Sequence, residues 1–163
     1  MNNIIIIIAL LISFSSFGQG SKSKEVVMTY YESGEVKTKE NYVDGKLQGE
    51  FITYYESGEV GRKAYYVNGK LQGEFITYYD SYYEGAGVFS IYKYVDGIKQ
   101  GEYIQYFEGG AVYKKSNYVD GKEQGKAVSY YEGGQVFSKY NYINEELQGE
   151  YIWYYESGEV KSK

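Results

Sequence analysis

The sequence predicts an all-β protein: an elongated, single-layer antiparallel meander of tandem 24-residue β-hairpin repeats, preceded by a helical signal peptide. Three observations predict it. A tyrosine-rich block returns at a fixed 24-residue interval. Each interval carries two turn signals, between runs where tyrosine and β-branched residues alternate with polar ones. The opening segment, residues 1–18, has an apolar composition found nowhere else in the chain.

That opening segment comes first. An apolar run from Ile4 to Phe14 follows Met1-Asn2-Asn3. As a helix it reaches about 16 Å, too short for a hydrocarbon core of about 30 Å. Ser16 and Gly18 put small residues where a signal peptidase needs them, so cleavage is expected between Gly18 and Gln19. The expected organisation is a signal peptide over 1–18, a linker over 19–25 and a repeat domain over 26–163. Export to the periplasm, the cell envelope or the medium follows as the expectation.

The repeats come next. Tyr30-Tyr31-Glu32-Ser33-Gly34-Glu35-Val36 recurs at Tyr54–Val60 and Tyr154–Val160, with variants at Tyr106–Val112 and Tyr130–Val136. A Gln-Gly landmark ends at Gly49, Gly73, Gly101, Gly125 and Gly149, spaced 24, 28, 24 and 24. About five and a half repeats result, with a four-residue insertion expected between Ile76 and Tyr82. Asp44-Gly45, Asn68-Gly69, Asp96-Gly97 and Asp120-Gly121 suit two-residue type I′ turns, and Asn144-Glu145 is a degenerate copy. The other turn, Glu56-Ser57-Gly58-Glu59 and its copies, reads as a four-residue loop.

Register follows from the turns. With Asp44-Gly45 as the tip, Tyr42 faces Leu47, and alternation puts Val36, Tyr42, Leu47, Phe51 and Tyr55 on one face. Pairing Tyr55 with Val60 sets Gly49 opposite Tyr66, Gly101 opposite Tyr118 and Gly125 opposite Tyr142. A tyrosine ring lying over each strand glycine is the expected arrangement. The insertion leaves the Gly73–Tyr94 pair open: it forms only if the extra residues bulge out.

The core of such a sheet has to be built from its 24 tyrosines. A tyrosine buries apolar ring surface while its hydroxyl stays wet, which suits a sheet without a second layer. At about half burial, roughly 100 Å², each ring contributes on the order of 2 kcal/mol. Most tyrosines are therefore expected to be structural.

Composition removes whole classes of chemistry. The chain has no cysteine and no histidine, so disulfides, thiolate or imidazole metal sites and Ser-His-Asp arrangements are absent. A net charge of -5 gives no electrostatic footprint for nucleic acid, nor any attraction to anionic lipid, although other membrane contact stays open. The carboxylate pairs Glu32/Glu35, Glu56/Glu59 and Glu156/Glu159 sit on solvated loop tips, where no acid–base pair gets its pKa values pushed apart. No catalytic residue, no metal site and no cofactor is expected.

A binding surface is the sharper expectation, because a repeat presents the same position about every 10 Å along the stack. Phe51, Phe75, Tyr103 and Tyr151 share one column; Tyr55, Tyr83, Phe107, Tyr131 and Tyr155 share another. Trp153 adds bulk in the column otherwise held by Thr53, Thr77, Gln105 and Ser129. Such rows stack sugar rings or grip an extended peptide when they are exposed. The edge near Tyr151–Tyr155 is a further candidate, for β-augmentation by a partner or for self-association, with Lys161 and Lys163 opposing it.

The unit Tyr-Tyr-Glu-Ser-Gly-Glu-Val … Tyr-Val-Asp-Gly-Lys-Leu-Gln-Gly-Glu, in residues 30–50, 54–74 and the later copies, resembles the MORN-repeat variant. It is similar to the bacterial proteins classed as YwqK-type antitoxin components. The resemblance implies β-hairpin repeats that bind, scaffold or attach to membranes rather than catalyse. It leaves two functional readings: an exported binding or scaffolding module for a protein or cell-envelope partner, and an antitoxin or immunity protein that neutralises a toxin.

Overall fold

The structure is a computed structural model that describes residues 8–12, 23–80 and 87–163. All its regular structure is β, in one 17-stranded antiparallel sheet. The strands are β1 (Ile8–Ile12), β2 (Lys24–Tyr30), β3 (Val36–Val43), β4 (Lys46–Tyr54), β5 (Val60–Val67), β6 (Lys70–Leu71), β7 (Gly73–Tyr78), β8 (Val88–Val95) and β9 (Ile98–Lys99). They continue as β10 (Gly101–Tyr106), β11 (Val112–Val119), β12 (Lys122–Glu123), β13 (Gly125–Tyr130), β14 (Val136–Ile143), β15 (Glu146–Leu147), β16 (Ile152–Tyr154) and β17 (Val160–Ser162). Successive long strands pair, with β6/β7, β9/β10, β12/β13 and β15/β16 each lying as two segments along the one preceding strand, so the sheet is a meander without crossovers.

Turn chemistry explains the hairpins. Asp44, Asn68, Asp96 and Asp120 have φ near +50°, and the glycines after them lie at +72° to +84°, as type I′ tips require. The degenerate copy keeps the same shape, which forces Glu145 to φ +70°. At the opposite end of each hairpin the loop closes through Tyr55 N–H to Glu59 O and Gly58 N–H to Tyr55 O, and its copies do likewise.

Two sets of hydrogen bonds tie each repeat to the next. The Gln of each Gln-Gly accepts from a backbone N–H one turn along: Asn68 to Gln48, Asp96 to Gln72, Asp120 to Gln100 and Asn144 to Gln124, all at 2.8–2.9 Å. At the other end, the second tyrosine of each Tyr-Tyr pair donates its hydroxyl to the carbonyl of the first tyrosine of the following repeat. These bonds are Tyr31 to Tyr54 (2.6 Å), Tyr55 to Tyr78 (2.5 Å), Tyr79 to Tyr106 (2.7 Å) and Tyr131 to Tyr154 (2.8 Å). Each bond contributes about 1 kcal/mol, and together they fix the spacing of repeats that have no second layer to pack on.

The expected pairs Gly49–Tyr66, Gly101–Tyr118 and Gly125–Tyr142 form, and so does Gly73–Tyr94. The reason for the glycines differs from the expectation. All four sit at φ between +78° and +101°, where the ladder slips: at Gly49 by a bulge in the β3–β4 pairing, and at the others by division of the glycine's own strand. No tyrosine ring lies within 4 Å of the position a side chain would take there. The rings turn sideways instead, Tyr66 onto Phe51 and Tyr94 onto Phe75, at 5.7 and 5.9 Å between centroids. Ring-over-glycine packing occurs at Gly61, where Tyr55 lies 3.4 Å from the position of an added Cβ.

Three further expectations are corrected. Val60 pairs with Tyr54 rather than Tyr55, because a bulge follows Thr53 and sends Tyr55 into the loop bond with Glu59. Tyr79 rather than Tyr83 makes the loop-closing bond of its repeat: Tyr79 N–H bonds Gly87 O just as Tyr55 N–H bonds Glu59 O. Tyr79 thereby takes the column place expected of Tyr83, which lies outside the described residues, as do Gly18 and Gln19. Finally, Ile8–Ile12 of the expected helical leader forms a strand along β2, from Ile8–Met28 to Ile12–Lys24. An open β2 edge offers unpaired N–H and C=O groups, and an isoleucine-rich segment suits an extended partner. The start of β2 also draws Lys24 and Glu25, assigned to the 19–25 linker, into the sheet.

Candidate binding face

Pairing and alternation sort the side chains into rows running across the strands. On one face the first row holds Thr38, Thr53, Arg62, Thr77, Ser90, Gln105, Lys114, Ser129, Ser138 and Trp153. Its hydroxyls satisfy one another: Thr29 with Thr38 at 2.8 Å, Thr77 with Ser90 at 2.7 Å, and Ser129 with Ser138 at 2.5 Å. This zipper buries Ser90, Ser129 and Ser138 without leaving an orphaned hydroxyl among them.

The aromatic rows lie beside it on the same face. Phe51 pairs with Ala64, Phe75 with Tyr92, Tyr103 with Ser116 and Ala127 with Tyr140. The next row carries Tyr42, Tyr66, Tyr94, Tyr118 and Tyr142. Rings bridge the rows: Tyr92 packs on Tyr103 at 4.4 Å, Tyr103 edge-on to Tyr118 at 6.1 Å, and Tyr140 on Tyr151 at 4.9 Å. Trp153 closes this run against Tyr151 at 3.9 Å. Only Tyr103, at 7% exposure, is buried among these rings; the rest are half-exposed.

The predicted residues thus divide. Phe51, Phe75, Tyr103, Tyr151 and Trp153 share the aromatic face, as expected. Tyr55 and Tyr131 belong to the repeat-to-repeat bonds at the loop end, and Phe107 and Tyr131 pack edge-on against Tyr113 and Phe137, both at 5.1 Å. Tyr155 is 49% exposed with Lys161 over its ring at 5.6 Å. Sequence reasoning missed Tyr92 and Tyr140, because the equivalent positions in other repeats hold the small residues Ala64 and Ser116. It also missed the charges set among the rings.

Those charges shape the electrostatics. Lys114 pairs with Glu123 at 2.8 Å, and its ammonium lies 5.6 Å from Tyr140 and 5.7 Å from Tyr142. Burial pulls the Lys114 pKa down, but the Glu123 carboxylate and the Tyr140 hydroxyl together outweigh it and hold the group up at about 12. Burial and the Glu123 carboxylate push Tyr118 up to about 12, and burial raises Tyr103 further. These hydroxyls stay protonated and serve as donors rather than bases. Among the described residues no cluster of acidic or imidazole side chains forms a metal site, and no helix is long and apolar enough to cross a membrane.

The MORN repeat variant profile matches residues 26–44, 47–68, 99–120, 123–144 and 147–163. The chain belongs to the MORN repeat variant family. In the unmatched stretch 69–98 the hairpin pairing of the other repeats is kept, as the Gly73–Tyr94 pair shows. MORN repeats are commonly protein- or membrane-binding modules and generally not catalytic. Comparison with curated proteins finds no match.

Proposed function

We propose that this MORN chain is an exported, non-enzymatic binding or scaffolding module whose aromatic face holds a protein or cell-envelope partner. One observation carries the reading: aromatic rings from Phe51 to Trp153, all but Tyr103 partly exposed, lie on a single face. Apolar surface kept in water over that span costs free energy that a partner recovers by covering it. The leader composition supports export.

The test immobilises the purified chain and exposes it to isolated envelope and to cytosolic extract separately. Envelope material should be retained by the protein and lost by the Tyr151→Ser/Trp153→Ser variant. Equal retention by both proteins would sink the proposal. Capture of one cytosolic toxin in one-to-one ratio would replace it with the antitoxin or immunity reading.

A further inference from the structure

Besides Glu40 and Arg62 near its start, the aromatic face carries charge in its middle repeats. Opposite its outer tyrosine row runs a column of Leu47, Leu71, Lys99, Glu123 and Leu147. Three positions are leucine; the two in the middle are a cation and an anion. Glu123 is consumed by Lys114. Lys99 has no carboxylate within ion-pair distance among the described residues, and its ammonium rests on ring faces, 4.0 Å from Tyr92 and 5.0 Å from Tyr118. Lys99 thus has no direct ion-pair partner among the described residues, although the Glu145 carboxylate is also felt at Tyr118. At its floor Ser116, opposite Tyr103 and 6% exposed, has a hydroxyl oxygen without a protein partner.

We propose that this patch recognises an acidic saccharide, a linear glycan whose sugar rings lie along the tyrosines while a ring carboxylate meets Lys99. The proposal deepens the binding-module reading and rests on it. Charge complementarity selects an anion, since an ammonium resting on rings gains a stronger partner in a carboxylate than in the rings alone. The surroundings select a sugar over a peptide. The sheet's own amides are spent in the ladder, so a peptide laid on these rings gains no backbone hydrogen bond from them. A glycan has apolar C–H faces to set on rings and hydroxyls that stay in water at the margin. Repeats about 10 Å apart offer such a chain successive ring contacts.

The test compares binding of the purified protein to a tetramer of galacturonic acid and to a neutral tetramer of glucose. The acidic tetramer should bind about tenfold tighter, a difference of about 1.4 kcal/mol. Lys99→Leu should abolish that preference, and the fold tolerates it because Leu47, Leu71 and Leu147 fill the same column. Salt at about 1 M, where the screening length is about 3 Å, should do the same. Equal affinity for the two tetramers, or a preference that survives Lys99→Leu, overturns the inference. So does tighter binding of a polyglutamate peptide, which would name an acidic peptide as partner. If neither tetramer binds, the glycan inference falls. Envelope retention by the Tyr151→Ser/Trp153→Ser variant on the same preparations then decides whether the binding-module reading falls with it.

Discussion

Phe107→Tyr should stabilise the protein, although it adds a polar group to a packed ring. Phe107 stands in the column where Tyr31, Tyr55, Tyr79 and Tyr131 each donate a hydroxyl to the next repeat's backbone, at 2.5–2.8 Å. Its ring already has the required placement: Phe107 meets Tyr113 edge-on at 5.1 Å and 73°, and Tyr131 meets Phe137 at 5.1 Å and 76°. A hydroxyl added to Phe107 therefore points at the Tyr130 carbonyl, as that of Tyr131 points at Tyr154. The net gain of one such bond is about 1 kcal/mol, or about 3 °C in Tm for a domain of this size. The reverse change, Tyr131→Phe, should cost about as much. Circular dichroism during thermal or urea unfolding reads both. Trp153, the only tryptophan, reports the C-terminal repeats separately, and Tyr131→Phe should shift its fluorescence transition more than the global one. A Phe107→Tyr protein no more stable than the parent, together with a neutral Tyr131→Phe, would refute the hydroxyl bonds as the repeat coupling.

Three further outcomes follow from the same geometry. Glu145→Gly should stabilise by about 1 kcal/mol, because Glu145 holds φ +70° at a position where every other copy has glycine; urea midpoints check it. Glu123→Leu alone should destabilise by about 2 kcal/mol by leaving Lys114 unpaired among rings, whereas Lys114→Leu/Glu123→Leu should restore most of the loss, as a double-mutant cycle would show. Alkali should unfold the sheet between about pH 10 and 12. Tyr118 and Lys114 are both raised to about 12, so the folded state keeps protons that the unfolded chain gives up. Their stabilisation is complete below pH 10 and lost as the pH climbs through 12. Tyrosinate absorbance followed with circular dichroism tests this. Tyrosines that all ionise at the ordinary value while the sheet persists would contradict it.

The fold was legible because turn type and period constrain each other. Asp-Gly at a two-residue tip fixes the phase of every flanking strand, so Gly49–Tyr66 and its copies could be read by counting. Counting fails where a bulge intervenes, since a period of two carries no mark of an extra residue. That is why Tyr55 was placed opposite Val60. The choice between Tyr79 and Tyr83 fails differently: Tyr78-Tyr79-Asp80-Ser81 and Tyr82-Tyr83-Glu84-Gly85 are near copies, and local sequence cannot rank them. What ranks them is distant in the chain, a hydroxyl bond from Tyr79 to the Tyr106 carbonyl. The site was half legible for a related reason. Aromatic columns show in an alignment of repeats only where the repeats agree, and Tyr92, Tyr140, Lys99 and Lys114 are departures from the repeat.

Those departures are where specificity has to reside. A side chain that recurs along the stack serves a recurring task, such as the tyrosine hydroxyls that bond Tyr54, Tyr78, Tyr106 and Tyr154. Such a row repeats its chemistry along the stack and cannot tell one place on the face from another. A single ligand geometry needs a position that differs from its neighbours. The Leu-Leu-Lys-Glu-Leu column supplies one, set between Tyr92, Tyr103 and Tyr118, whose rings pack together at 4.4–6.1 Å. The regular tyrosines hold the platform rigid, and the irregular lysine on it decides what is recognised.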